Sequence, residues 1–296
     1  MKIKMFTKRI YCCALFVASV LMAQAADRLL IVGNAVWGGY SIDNSIVMLN
    51  SADAPDVFSA TVYLKGAEEF KFLTTTDWGG LEYRAGETNV TLASGEESRL
   101  VSTEETDKDN KFMVTSSANY LIVCDLQKKT ITATKASYQD SPINHTGLWL
   151  VGSATPGGWT IGDGHAMTQD PDNPLRFTTT VSLVPGEFKI AVNNQTGFGQ
   201  TFYLRDVADE GKMVFGGDDN KWTVSEAATY DIVADLSAMS LSVTKAIPSA
   251  IGEQQSLDTQ TPVTVYDLNG IKVIDKTRRG IHIRRQGNKI QKYIVR

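Results

Sequence analysis

Val32-Gly33-Asn34-Ala35-Val36-Trp37-Gly38-Gly39-Tyr40-Ser41-Ile42 returns 119 residues later as Val151-Gly152-Ser153-Ala154-Thr155-Pro156-Gly157-Gly158-Trp159-Thr160-Ile161. The register runs on through Met48/Met167, Pro55/Pro174, Phe58/Phe177, Val62/Val181 and Leu64/Leu183. After a one-residue slip, Glu69-Phe70-Lys71 meets Glu187-Phe188-Lys189. A longer gap brings the offset to 110, where Tyr120, Asp125-Leu126 and Thr134-Lys135-Ala136 meet Tyr230, Asp235-Leu236 and Thr244-Lys245-Ala246. So many matches in one order mark two copies of one module, residues 28–136 and 147–246, joined by the polar segment Ser137–Thr146.

Within each copy the apolar residues recur with period 2. Phe177, Thr179, Val181 and Leu183 share one face, as do Phe188, Ile190 and Val192, and Gly, Asp and Asn turns separate such runs. Helical spacing is missing. The reading is all-β: two tandem immunoglobulin-like β-sandwich modules of seven to nine strands each. Cys124 occupies the position of Ala234 on the face of Tyr120 and Ile122, which reads as a small core residue. The 296 residues, 43% hydrophobic and 21% charged, are enough for two cores of this kind.

Residues 1–25 read as a secretory signal peptide: Lys2, Lys4, Lys8 and Arg9, then an apolar run Cys12–Met22, then Ala23-Gln24-Ala25. That run is too short to span a bilayer, and no other apolar run approaches spanning length. Removal of the leader takes Cys12 and Cys13 with it and leaves one thiol, Cys124, without an internal disulfide partner. The remaining chain carries a formal charge of −8, distributed as +7 over Val263–Arg296 and about −15 over the body. A negative body lacks the basic footprint that nucleic acid or an anionic membrane requires.

The inventory for catalysis is poor. His145, His165 and His282 fall in the linker, a loop and the basic C-terminus, with no metal-ligand or Ser/His spacing. Phosphate loop, nucleophile elbow and zinc cysteine cluster are all missing. Glu69 and Glu187 recur, but a Glu before a strand Phe reads as structural sooner than as half of a glycosidase pair. The acidic loops Asp107-Lys108-Asp109-Asn110, Asp170-Pro171-Asp172-Asn173 and Asp218-Asp219-Asn220 carry oxygen ligands for calcium in no known spacing, and Asx turns account for them more simply. The expectation is a protein that is not an enzyme and holds neither cofactor nor metal.

Aromatic and polar residues remain where packing does not demand them. Alternation places Lys71, between Phe70 and Phe72, on the outer face of its strand, and does the same for Lys189 and Asn193. Trp78 and Phe198 sit in the polar loops that follow, and Tyr40 and Trp159 close the first Gly-Gly loop of each copy. Rings that stack on the apolar faces of pyranoses, beside cationic and amide donors for hydroxyls, are what sugar binding needs. The other reading of loop aromatics, that they fold back to cap the module, stays open at this point.

The ordered set Val151–Trp159, Phe177–Thr180, Gly186–Lys189 and Tyr230–Leu236 resembles the tandem modules of SusE/SusF-type outer-membrane starch-binding proteins of Bacteroidetes. That resemblance implies non-catalytic β-sandwich modules that bind starch or a related α-glucan at the cell surface, within an outer-membrane glycan-uptake complex. Carried over by position, the binding residues are Tyr40, Lys71 and Trp78 in the first copy and Trp159, Lys189, Asn193 and Phe198 in the second. Tyr40 stands where the family pattern favours Trp, and the lipidation cysteine typical of the family is missing. The segment 262–296, with Val263–Val273 around Asn269-Gly270 and then Gly280–Ile283 and Lys292–Arg296, reads as a short β-meander. It is similar to type A sorting domains of the type IX secretion system, which implies export across the outer membrane. A structural or adhesive surface protein whose repeats bind another protein and no sugar is the alternative.

Overall fold

In the computed structural model of the chain, residues 28–246, 263–266, 272–273, 279–286 and 289–295 are described. The leader at 1–25, the linker Ile247–Thr261 and the Asn269-Gly270 turn lie outside the described residues. The first copy contributes β1 (Leu29–Val32), β2 (Ile46–Ser51), β3 (Ala54–Leu64), β4 (Lys71–Leu73), β5 (Glu82–Ala85), β6 (Val90–Leu92), β7 (Glu97–Ser102), β8 (Phe112–Val114), β9 (Ala118–Asp125) and β10 (Thr130–Lys135). The second contributes β11 (Trp149–Val151), β12 (His165–Ala166), β13 (Thr168–Gln169), β14 (Arg176–Leu183), β15 (Gly186–Ala191), β16 (Tyr203–Arg205), β17 (Met213–Phe215), β18 (Trp222–Val224), β19 (Ala228–Asp235) and β20 (Ser240–Lys245). A single 3-10 turn, Ile161–Asp163, interrupts them, so the described chain is nearly all β.

The first copy departs from the expected sandwich. Its strands close in the order β1-β2-β3-β9-β10-β7-β5-β4. Two strands make the closure by changing partner along their length. Ile46–Met48 of β2 pairs with β1, while Leu49 and Ser51 pair with β3 across a bulge. Likewise Glu97–Arg99 of β7 pairs with β10, and Leu100–Ser102 with β5. The second copy follows the same path but leaves its seams open. The counterpart of β2 breaks at Met167 into β12, which pairs with β11, and β13, which pairs with β14. One sheet therefore runs β12-β11-β15-β16-β17, with β18 also on β15, and the other runs β13-β14-β19-β20.

Period 2 sorts the side chains into cores. Leu29, Ile31, Phe70, Phe72, Phe112 and Ile122 fill the first copy; Leu150, Phe188, Ile190, Trp222 and Ile232 fill the second. The alternate residues of the same strands are apolar too. Leu30, Val32, Val47 and Leu73 of the first copy pack against Trp149, Val151, Ala191, Phe202 and Leu204 of the second in a third buried cluster. The outer faces of β1 and β11 are thus not solvent faces, because each copy covers the other. Equivalent positions of the two copies enter that cluster, Leu30 and Trp149, Val32 and Val151. All described residues from 28 to 246 accordingly belong to one compact unit.

Trp37 and the linker lock this contact. Trp37 packs edge-on to Phe215 at 5.1 Å and to His145 at 5.1 Å, and His145 also meets Tyr203 at 5.4 Å. Asn119 holds the linker down by donating to the carbonyls of Tyr138 (3.0 Å) and Ser141 (2.8 Å) and accepting from the Ile143 amide (2.9 Å). Cys124 is a buried, unpaired thiol, as its sequence position indicates. The second compact unit, described by itself, is the antiparallel three-stranded sheet β21 (Val263–Tyr266), β22 (Gly280–Gln286) and β23 (Lys289–Val295), with Lys272 bridged back to Tyr266.

Candidate functional site

The repeated Val-Gly…Gly-Gly stretch is a device for presenting one aromatic. Gly33 and Gly152 each lie so close to the neighbouring strand that a Cβ would fall 2.2 Å from the Glu69 carbonyl oxygen or 2.1 Å from that of Glu187. Those same carbonyls accept from the Ala35 and Ala154 amides, both at 3.1 Å, so the main chain of Glu69 and Glu187 serves the loop in both copies. Gly33 and Gly152 donate to the carbonyls of Gly39 and Gly158 at 2.9 and 2.8 Å. Gly39 and Gly158 turn at φ +59° with open space around them, so it is the left-handed backbone that selects glycine there. The next residue, Tyr40 or Trp159, is left 36% exposed.

In the first copy Trp78, on the loop between β4 and β5, is 50% exposed and lies 6.4 Å from Tyr40 with the rings tilted by 47°. Lys71 reaches to 5.4 Å from the Trp78 ring centroid. Its outward direction is as alternation requires, yet it is buried, with Glu82, Asp109 and Trp78 of its own copy around its ammonium. Its ammonium donates to Glu82 Oε2 at 2.6 Å and to Asp109 Oδ1 at 3.0 Å. Arg84 grips the same Glu82 oxygen through Nε (2.9 Å) and Nη2 (2.7 Å), and Lys111 pairs with Asp109 Oδ2 at 2.8 Å. Burial acts to raise the Asp109 pKa, but bonds from Lys111 and Lys71 outweigh it and hold the carboxyl below its ordinary range. The Tyr40 hydroxyl is pushed up to about 12 by burial and then by the charges of Glu69 and Asp109, so it remains a neutral donor.

The second copy repeats the core of this arrangement. Lys189 donates to Asp219 Oδ1 and Lys221 pairs with Asp219 Oδ2, both at 2.8 Å. The two lysine bonds, Lys189 first, depress the Asp219 pKa. Lys221 lies 5.9 Å from the Trp159 ring, and Lys189 lies 5.3 Å from Phe198 and 3.9 Å from Phe202. Phe198 is 52% exposed and stacks on Phe202 at 5.9 Å. A chain of contacts thus runs from Trp159 through Lys221, Asp219 and Lys189 to the phenylalanine pair.

Tyr40, Lys71 and Trp78 therefore gather in one place, as do Trp159, Lys189 and Phe198. Asn193 does not belong with them. It is 0% exposed, and its side-chain amide donates to the Ser45 carbonyl and hydroxyl of the first copy, both at 3.1 Å. Strand alternation aims it outward correctly, but outward is where the other copy sits. Sequence reasoning missed Glu82, Asp109, Lys111, Asp219 and Lys221. The signal was the pair Asp109-Asn110-Lys111 and Asp219-Asn220-Lys221 at the offset of 110, in loops set aside as turns or calcium ligands. Their carboxylates are engaged by lysines, and among the described residues no group of three or more His, Cys, Asp or Glu is placed to hold a metal. The two copies differ in what faces Lys71 and Lys189. Glu82 and Phe202 both precede the tyrosine of β5 and β16, so a buried carboxylate faces Lys71 where an aromatic ring faces Lys189.

No protein-family model matches the chain, and no curated protein does. Among solved structures, the chain aligns with SusF from Bacteroides thetaiotaomicron at 15% identity and a TM-score of 0.30, over 74% of this chain and 47% of that one. The chain thus spans about half the length of that structure, and the reading of the site rests on its own geometry.

Proposed function

We propose that the chain binds a polysaccharide without transforming it, an α-glucan of the starch type being its ligand, through one site in each copy. Both sites follow a single module plan, the first closed and the second open at its seams. The observation that carries this reading is the recurrence, in both copies, of two exposed aromatics beside a Lys-Asp-Lys group: Tyr40 and Trp78 with Lys71, Asp109 and Lys111, and Trp159 and Phe198 with Lys189, Asp219 and Lys221. The rings offer faces to pyranose C–H groups, the carboxylate accepts from a sugar hydroxyl, and the ammonium groups donate to its neighbours. Single contacts of this kind are weak, and two sites on one chain raise retention on a polymer by effective concentration. Secretion by the leader and display at the outer-membrane surface, with the C-terminal sheet as a sorting domain and a glycan-uptake complex as partner, complete the proposal.

Affinity electrophoresis of the mature chain through gels containing amylopectin, dextran, xylan or mannan tests it. Retardation in amylopectin alone is expected, reduced by Trp78→Ala and by Trp159→Ala and abolished by the pair. Free migration in every gel would overturn the reading and favour a protein-binding surface.

A further inference from the structure

The loop that carries Phe198 is held by the wrong copy for a self-contained module. Gln200, buried, closes it from within, accepting from the Val192 and Asn193 amides at 2.9 Å each and donating to the Asn193 carbonyl at 2.6 Å. Within the loop Gln200 also donates to the Gly197 carbonyl at 3.1 Å and Asn193 Oδ1 accepts from the Gln195 amide at 2.8 Å. Further restraints come from Asp43, Asn44 and Ser45, which follow the Gly-Gly loop of the first copy. Asn44 Oδ1 accepts from the Thr201 amide at 2.7 Å, and the Asp43 carbonyl accepts from the Thr196 hydroxyl at 3.2 Å. Ser45 receives both bonds from the Asn193 side chain. The Asp43 carboxylate packs against Gly199 so tightly that a Cβ there would lie 2.1 Å from Oδ2. Every residue from Asn193 to Thr201 is thus within one or two positions of an anchor supplied by the first copy.

We propose that the first copy sets the binding site of the second: Asn44 and Ser45 are positioning residues for the Phe198 loop, and the two copies form one binding unit. This inference rests on the carbohydrate reading given above for what the site holds, but not for how the loop is held. The physical reason is entropic. A nine-residue polar loop with Gly197 and Gly199 has many conformations, and a ring on it serves as a stacking platform only if those are restricted before the ligand arrives. The bonds to the first copy supply that restriction. In the corresponding loop of the first copy, with Trp78, the Thr74 hydroxyl donates to the Leu81 carbonyl at 2.8 Å, a bond within the same copy.

The test uses the full mature chain carrying Tyr40→Ala and Trp78→Ala, so that amylopectin retardation reads the second site alone. Asn44→Ala is added, with Asn44→Asp as the conservative control, because a carboxylate oxygen still accepts from the Thr201 amide. Amide exchange over 193–201 and over β19, read by mass spectrometry, accompanies the gels. Asn44→Ala is expected to speed exchange in the loop about five- to tenfold, the equivalent of one lost buried hydrogen bond, while β19 stays protected. Amylopectin retardation should weaken by a similar factor, and Asn44→Asp should restore both. Unchanged loop exchange, or faster exchange with undiminished retardation, would overturn the proposal. If the Tyr40→Ala/Trp78→Ala chain already migrates freely, the glucan reading of this copy fails, and loop exchange alone decides whether the first copy holds the loop.

Discussion

Glu82→Phe recreates in the first copy the residue that the second copy carries at the same place, and its cost follows from the bonds it removes. Glu82 Oε2 takes Lys71 at 2.6 Å and both Arg84 nitrogens at 2.9 and 2.7 Å. With the carboxylate gone, Lys71 retains Asp109 at 3.0 Å, and Arg84 retains Asp109 at 3.5 Å and the Lys108 carbonyl at 3.1 Å. Breaking a buried ion pair by removing one partner costs about 3–5 kcal/mol. The remaining contacts to half-exposed Asp109 place this case near the lower end, at about 3 kcal/mol. For a unit of this size, about 2–4 °C per kcal/mol converts that to a fall in Tm of roughly 6–12 °C. Adding Arg84→Leu, the residue found at 204, removes the stranded guanidinium and completes the arrangement in which Lys189 lies over Phe202. The double variant should fall within about 1 kcal/mol of the parent, roughly 2–3 kcal/mol more stable than Glu82→Phe alone, so the two neighbouring changes are not additive. Calorimetry and urea unfolding of parent, singles and double make the measurement. A double variant as unstable as Glu82→Phe alone would refute the charge-pair account and assign the loss to overpacking.

Three further outcomes follow from His145, Asp219 and Cys124. His145, enclosed by Trp37, Tyr203 and Phe215, has its pKa pushed down by burial to about 3, whereas the unfolded chain protonates it near 6.5. The unfolded state takes up the proton first, so its contribution is whole above about pH 6.5 and is lost at up to roughly 1.4 kcal/mol per pH unit as pH falls toward 3. Urea unfolding from pH 7.5 to 4.5 should show that slope and His145→Phe should remove it; equal slopes would contradict burial as a neutral imidazole. Asp219, with its folded pKa depressed, adds stability above about pH 4 that disappears as pH falls further, and Asp219→Asn should flatten that lower part of the curve alone. Burial drives the Cys124 thiol well above its ordinary pKa, so an aromatic disulfide reagent should leave it untouched in the native chain and modify it on unfolding. Modification of the native chain at a rate matching free cysteine would contradict its place in the core.

Much of the fold was legible because period 2 and the repeat are local properties. Phe188, Ile190 and Val192 face a core as alternation requires, and the Gly33 and Gly152 motifs fold into the same loop by the same main-chain bonds. Closure of the first copy was not legible. It depends on β2 and β7 each serving two partners, and partner choice along a strand is set by what lies beside it in space.

The site divides in the same way. From sequence alone come the aromatics, Lys71 and Lys189, since a loop aromatic and an outward lysine can be assigned from their immediate neighbours. Glu82, Asp109 and Asp219 join them only in three dimensions, across separations of 11, 38 and 30 residues. Asn193 shows the limit most clearly. Alternation states which way a side chain leaves its strand, and that was right; whether water or another sheet waits there is decided by packing, and Leu30, Val32, Trp149 and Val151, apolar on faces that a solitary sandwich would expose, are buried because the copies pair.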